Sequence, residues 1–121
     1  MIPLSGSAAL NADAIKTSAG ALHRIPVCRH RNLHEVATFL SESGLRLFAA
    51  SEKAAHSLYE TDLTGPAGII LGSEERGISE RLLKKADYLV SIPMKGKISS
   101  LNVSVAAGII LFELNRQRGI Q

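Results

Sequence analysis

The run IPMKGKISSLNVSVAA, residues 92–107, limits what this chain can fold into more than any other feature, because a strand must end in it and a helix must begin. Pro93 has no N–H to give a sheet ladder, so the apolar strand over residues 88–92 stops there. Gly96 permits a tight turn. Ser99, Ser100 and Asn102 then supply side chains that accept hydrogen bonds from the orphan N–H groups of a helix start. The pattern predicts a helix from near Leu101 to Arg118. Its apolar residues lie on two adjacent stripes, Leu101, Val105, Ile109 and Phe112 on one, Val103, Ala106, Ala107, Ile110 and Leu114 on the next. That is wider than a surface helix needs, so burial on more than one side is expected. Gly108 inside the helix costs about 1 kcal/mol against Ala, which points to the close approach of another backbone.

Upstream, strand patterns alternate with helix patterns. Residues 1–4 read as a strand end, broken by Ser5, Gly6 and Ser7, and Asn11 caps a short helix that Gly20 ends. Ile25, Val27 and Cys28 form a strand whose Pro26 confines it to an edge or a strand start. Asn32 with Glu35 makes a variant capping box, and Leu33, Val36, Ala37 and Leu40 recur at helical spacing until Gly44. Residues 45–50 are a strand, the polar residues 51–66 a loop with room for one helical turn, and residues 68–71 a fully apolar strand of the parallel-sheet type. Ser79 caps a helix to Ala86. Such alternation over 121 residues predicts one α/β domain, with right-handed connections, a mainly parallel sheet and helices on both faces. By pattern alone the fold would be flavodoxin-like.

Charge and composition narrow the partners only a little. Lys and Arg number 14 against 11 Asp and Glu, and the pI is about 9.3, which suits a phosphate-rich partner but falls far short of a basic nucleic-acid tail. The single cysteine, Cys28, allows no internal disulfide and is expected to be a buried small hydrophobe in a reducing compartment. No signal-peptide pattern opens the chain, and the last helix is interrupted by Asn102 and Ser104 and too short for a bilayer, so a cytoplasmic protein with no membrane partner is expected. His30 and His34 lack a third ligand at zinc spacing, so no metal is expected. No GxSxG elbow places a nucleophilic serine, which leaves hydrolase chemistry without support.

The second informative run is GSEERGIS, residues 72–79, between the strand ending at Leu71 and the helix capped by Ser79. Ligands of open α/β sheets bind at such carboxyl ends of strands. Gly72 and Gly77 let backbone approach a ligand and adopt positive φ. No Lys-Ser or Lys-Thr follows the second glycine, and two acids would repel phosphate, so the loop suits a ligand without one. Arg76, Lys95 and Lys97 flank the same cleft, either as solvated loop cations or as holders of RNA phosphates. Ser100 and Asn102 are helix caps that also aim N–H dipoles at the site.

IPMKGKISSLNVSVAAG and GIILGSEERGIS (residues 68–79), taken together, resemble the two C-terminal signature motifs of the SpoU class of RNA 2'-O-ribose methyltransferases. KTSAGALHRIPVCR (residues 16–29) and FELNRQR (residues 112–118) resemble most closely the members that methylate a guanosine ribose in large-subunit ribosomal RNA. The resemblance covers nearly the whole chain. It implies a SPOUT-type α/β knot, with a deep C-terminal trefoil knot that general topology rules would reject. It implies S-adenosylmethionine as cofactor, held at Leu71, Gly72, Gly77, Ile92, Met94 and Leu101. It places Glu74, Ser100 and Asn102 at the methyl-transfer centre, and makes Arg76, Lys95 and Lys97 the RNA-binding residues. It also implies a homodimer through the C-terminal helix, with Ile110, Leu114 and Arg118 expected near the partner. Family members carry, ahead of the region matched here, a motif whose Arg is assigned to activating the ribose hydroxyl. Residues 1–121 therefore read as the C-terminal part of a SpoU-type domain with that first motif absent. The alternatives are a fragment that binds cofactor or RNA without turnover, a transfer-RNA 2'-O-methyltransferase, and a flavodoxin-like nucleotide or flavin domain, which the missing phosphate cradle disfavours.

Overall fold

The structure is a computed structural model that describes residues 1–3, 25–73, 76–94 and 102–119, in two compact units, Met1–Val36 and Ala37–Gln121. In the first unit β1 (Ile2–Pro3) pairs in parallel with β2 (Arg29–His30), Ile2 opposite Arg29 and Pro3 opposite His30. The expected strand at residues 25–28 is thus displaced toward the C-terminus. The run from Ile25 to Arg31 is exposed throughout, and Cys28 with it, contrary to its expected burial. Pairing starts only at Arg29, past Pro26, which has no N–H for a ladder. Helix α1 (Leu33–Glu42) follows the predicted cap, for Asn32 Oδ1 accepts from the N–H groups of His34 at 3.0 Å and Glu35 at 3.3 Å.

The second unit is built on three parallel strands, β3 (Arg46–Ala50), β4 (Ala67–Ile70) and β5 (Tyr88–Val90), in the order β4-β3-β5. The apolar runs of the sequence supply all three, and Phe48 of the central strand stands beside both Ile69 and Tyr88. Ser79 caps helix α2 (Glu80–Leu83), its hydroxyl accepting from Leu82 N–H at 3.2 Å. That helix ends a turn earlier than expected. Asp87 is the reason: its N–H donates to Leu47 O at 2.8 Å and its carboxylate accepts from Leu47 N–H at 2.7 Å, which pulls the chain onto the sheet.

The core is Phe48, Leu58, Leu63, Val90 and Ile110, each with 1% or less of its surface exposed. Burying a side chain of this size stabilises the fold by about 1.5–3 kcal/mol. Leu58 and Leu63 come from the stretch expected to be a polar loop. Ser57 caps a 3-10 turn (Leu58–Glu60) there and turns Leu58 inward.

Helix α3 (Val103–Gln117) lies over this core and is fixed at its far end by a polar latch. Gln117 accepts from Leu63 N–H at 2.7 Å and donates to Thr61 O at 2.8 Å and to the Glu113 carboxylate at 3.1 Å. Arg116 also donates to Glu113, and these two neighbours hold its carboxyl below the usual glutamate range. Arg118 donates to the carbonyls of Leu63 and Gly65. The burial of Ile110 argues against its expected place near a partner, while Leu114 is half-buried and Arg118 exposed. Ile110 is fully buried within its own chain, Leu114 packs on the core, and Arg118 is bound to the 61–65 loop. The exposed apolar face of α3 is instead Val105, Leu111 and Phe112, the last 79% exposed, with Tyr59 beside it. The expected trefoil knot depends on the path of residues 95–101, which lie outside the described residues. Among the described residues no helix is long and apolar enough to cross a membrane.

Candidate cofactor cleft

Three parallel strands in register bring their carboxyl ends to one edge, and the segments leaving that edge enclose a cleft of about 720 Å³ within the second unit. The size is ordinary for a small-molecule site. Leu71, Gly72, Ser73, Arg76, Gly77 and Ile78 line it from the segment after β4. Ile92 and Met94 line it from the segment after β5, and Asn102, Val103 and Ala106 from the start of α3.

The β4 loop is shaped by its own backbone. Ser73 O accepts from Gly77 N–H at 2.9 Å and Ser73 Oγ from Arg76 N–H at 3.1 Å, closing a tight loop. Gly77 has φ +65°, the left-handed region that glycine enters without penalty. Gly72 serves a different need. A Cβ there would lie 2.3 Å from the carbonyl carbon of Gly77 and 2.5 Å from Ile78 N. The close approach expected at Gly72 is thus first an approach of the loop to itself.

Asn102 is the N-cap of α3, its Oδ1 accepting from Ser104 N–H at 2.8 Å, so the side-chain amide that opens the helix stands at the cleft wall. Asn102 was among the predicted caps, and the helix expected from near Leu101 begins at Val103. Of the expected cofactor residues, Leu71, Gly72, Gly77, Ile92 and Met94 all line this one cleft, as does Arg76 among the expected RNA contacts. Glu74, Leu101, Ser100, Lys95 and Lys97 lie outside the described residues. The lining suits a nucleoside, whose base has apolar faces and polar edges. Leu71, Ile92, Met94, Val103 and Leu83 offer apolar surface, and the loops supply backbone polar groups. Among the described residues no three His, Cys, Asp or Glu side chains gather as a metal site.

The SpoU rRNA Methylase family model matches residues 1–112. The chain belongs to that family. The SpoU chain is 40% identical over 121 residues to a 23S rRNA (guanosine-2'-O-)-methyltransferase RlmB of Yersinia pestis, covering 100% of this chain and 49% of that protein. It is 47% identical over 118 residues to the RlmB of Xanthomonas axonopodis pv. citri, covering 98% of this chain and 47% of the relative. The chain spans about half the length of the relatives it matches. Among solved structures it superposes on the SpoU methyltransferase AviRb of Streptomyces viridochromogenes in complex with AdoMet, with a TM-score of 0.86 and 31% identity, over 97% of this chain and 49% of that one. The SpoU α/β fold with a parallel sheet is thus common to both.

One wall of the cleft was not read from the sequence. Ala50, Ser51, Glu52 and Lys53 line it from the carboxyl end of β3, the central strand. Residues 51–66 carry no motif, so the available signal was position alone, immediately after a strand whose neighbours both end in ligand-facing loops.

Proposed function

We propose that the protein containing this chain methylates a ribose 2'-hydroxyl in RNA with S-adenosylmethionine as donor, and that its target is a guanosine of large-subunit ribosomal RNA. The observation that carries this reading is the convergence of Leu71, Gly72, Gly77, Ile92 and Met94, from two separate motifs, on one cleft beside the N-cap of α3. The identity to RlmB proteins supports the ribosomal guanosine over a transfer-RNA target. S-adenosylmethionine, when bound, supplies an electrophilic methyl group. The chain's own part is to hold and orient: the two loops fix the nucleoside, and the apolar lining keeps water from the transfer centre. Arg76, at the cleft wall, holds a backbone phosphate of the RNA and so sets the position of the ribose rather than reading its base. Glu74 and Ser100 belong, on the resemblance, to the same centre as Asn102, and Lys95 and Lys97 to the RNA surface. Such a protein acts in the cytoplasm, where ribosomal RNA is found.

The partner of α3 is a second copy of the chain. The helix presents Val105, Leu111 and Phe112 to solvent, and Gly108 lines a groove of about 620 Å³ with Val105 and Phe112, with no described atom within 4 Å of where its Cβ would be. A helix glycine that costs stability and meets no described atom of its own chain fits a crossing helix from outside. Transfer of labelled methyl to ribosomal RNA lacking the modification tests the activity, with this chain and a parent of the relatives' length assayed side by side. Label in guanosine 2'-O-methyl groups from the longer protein is the expected result, and label in no RNA refutes it. Label from the parent alone assigns this chain the binding half of the chemistry. Sedimentation equilibrium should find a dimer for the wild type and a monomer for Phe112→Glu, and a dimeric variant moves the interface elsewhere.

A further inference from the structure

We infer that the segment after β3 is a third wall of the cofactor site, and that the Glu52 carboxylate accepts hydrogen bonds from the ribose hydroxyls of the bound nucleoside. The inference rests on the reading of the cleft as an S-adenosylmethionine site. The strand order is β4-β3-β5 with every pair parallel, so the carboxyl end of β3 lies between the ends of the two strands that carry the recognised loops. A ligand reaching from Gly72 to Ile92 has to cross the end of β3. The chain there is held in a fixed turn: Ser51 N–H donates to Val90 O at 2.9 Å, Ser51 O accepts from Ala54 N–H at 3.2 Å, and Ser51 Oγ accepts from Lys53 N–H at 3.2 Å. Ser51 is thereby anchored to β5, and Glu52 and Lys53 are presented at the cleft wall.

The chemistry selects Glu52 for the sugar. A ribose diol offers two adjacent O–H donors, and a carboxylate offers two acceptor oxygens, which is how acids at strand ends hold ribose in other α/β nucleotide sites. Glu52 is the one carboxylate among the described residues that line the cleft. No described hydrogen bond or ion pair engages it, since the ion pair among the described residues is that of Arg116 with Glu113. A carboxylate also suits a ligand that bears a sulfonium and an ammonium group. Lys53, beside it, has no role toward hydroxyl donors, because an ammonium cannot accept.

Calorimetric titration of wild type and Glu52→Ala with S-adenosylhomocysteine and with its 2',3'-dideoxyribose analogue tests the assignment. The residue is exposed, so the variant should keep the wild-type circular dichroism. Wild type should bind the diol at least about tenfold more tightly than the dideoxy analogue. Glu52→Ala should bind both alike, at the weaker level, and Glu52→Gln, which keeps one acceptor, should fall between. If Glu52→Ala retains the preference for the diol, or loses affinity equally for both ligands, the contact to ribose is refuted while the cleft remains a cofactor site. If wild type binds neither ligand, the cofactor reading itself falls, and the inference with it.

Discussion

Replacing Gly72 by alanine adds one methyl group at the point where the β4 loop closes on itself. The new Cβ would lie 2.3 Å from Gly77 C, 2.5 Å from Ile78 N and 2.7 Å from Gly77 Cα, where ordinary contact begins near 3.4 Å. The loop has to open by about 1 Å, the difference between those separations. All three atoms are backbone, so no side-chain rotation relieves the clash. Opening sacrifices the bonds from Gly77 N–H to Ser73 O and from Arg76 N–H to Ser73 Oγ. At a net 0.5–1.5 kcal/mol each, the loss is about 1–3 kcal/mol, the usual range for overpacking. None of the core residues Phe48, Leu58, Leu63, Val90 or Ile110 lies in the loop, so the damage should stay local. We expect Gly72→Ala to bind S-adenosylhomocysteine at least about tenfold more weakly by calorimetry, since about 1.4 kcal/mol of loop distortion corresponds to tenfold. Its urea midpoint should fall only modestly. Gly77→Ala is the internal comparison, for its Cβ meets no described atom within 4 Å and the conformational cost there is about 1–2 kcal/mol. Wild-type affinity in Gly72→Ala would show that the loop does not need its closed shape to bind.

Three further outcomes follow from other parts of the structure. Asn102→Ala should lower stability by about 1 kcal/mol as a lost N-cap, read by urea denaturation, and should depress methyl transfer by the parent enzyme far more than that loss explains; unchanged turnover would leave capping as its whole role. Gln117→Met should cost about 1–3 kcal/mol, because it strands the N–H of fully buried Leu63, and a cost below about 0.5 kcal/mol would show that the latch is slack. The Glu113 carboxyl, held low by Arg116 and then Gln117, contributes stability that is complete above its ordinary value of 4.5 and is lost as pH falls through the lowered one. Denaturation of wild type and Glu113→Gln from pH 6 downward should therefore converge as acid is added, and parallel curves would remove Glu113 from the acid response.

The strands of the second unit were legible because each is an apolar run bounded by turn residues, and the caps Asn32, Ser79 and Asn102 were legible because capping is a local property of one side chain. The need for glycine at position 72 has a cause the sequence could not supply, since the atoms that exclude a side chain belong to residues five and six positions later. β2 was missed in register because its paired residues, Arg29 and His30, have no apolar pattern, and the Cys28 error followed from that. Leu58 and Leu63 stand among polar neighbours, and only the 3-10 turn carries the first of them into the core. The two apolar stripes of α3 were correctly seen. Which one faces inward was not, because that depends on where Phe48 and Val90 stand.

The most direct test of the cofactor cleft is the amide spectrum of isotopically labelled chain titrated with S-adenosylhomocysteine. We expect saturable shifts of Gly72, Gly77, Ile92 and Asn102, with Glu52 among them, from three sequence regions that meet at one sheet edge. Amides of the latch, Leu63 and Gln117, should stay in place. Saturable shifts confined to any other surface, or none at millimolar ligand, would contradict it.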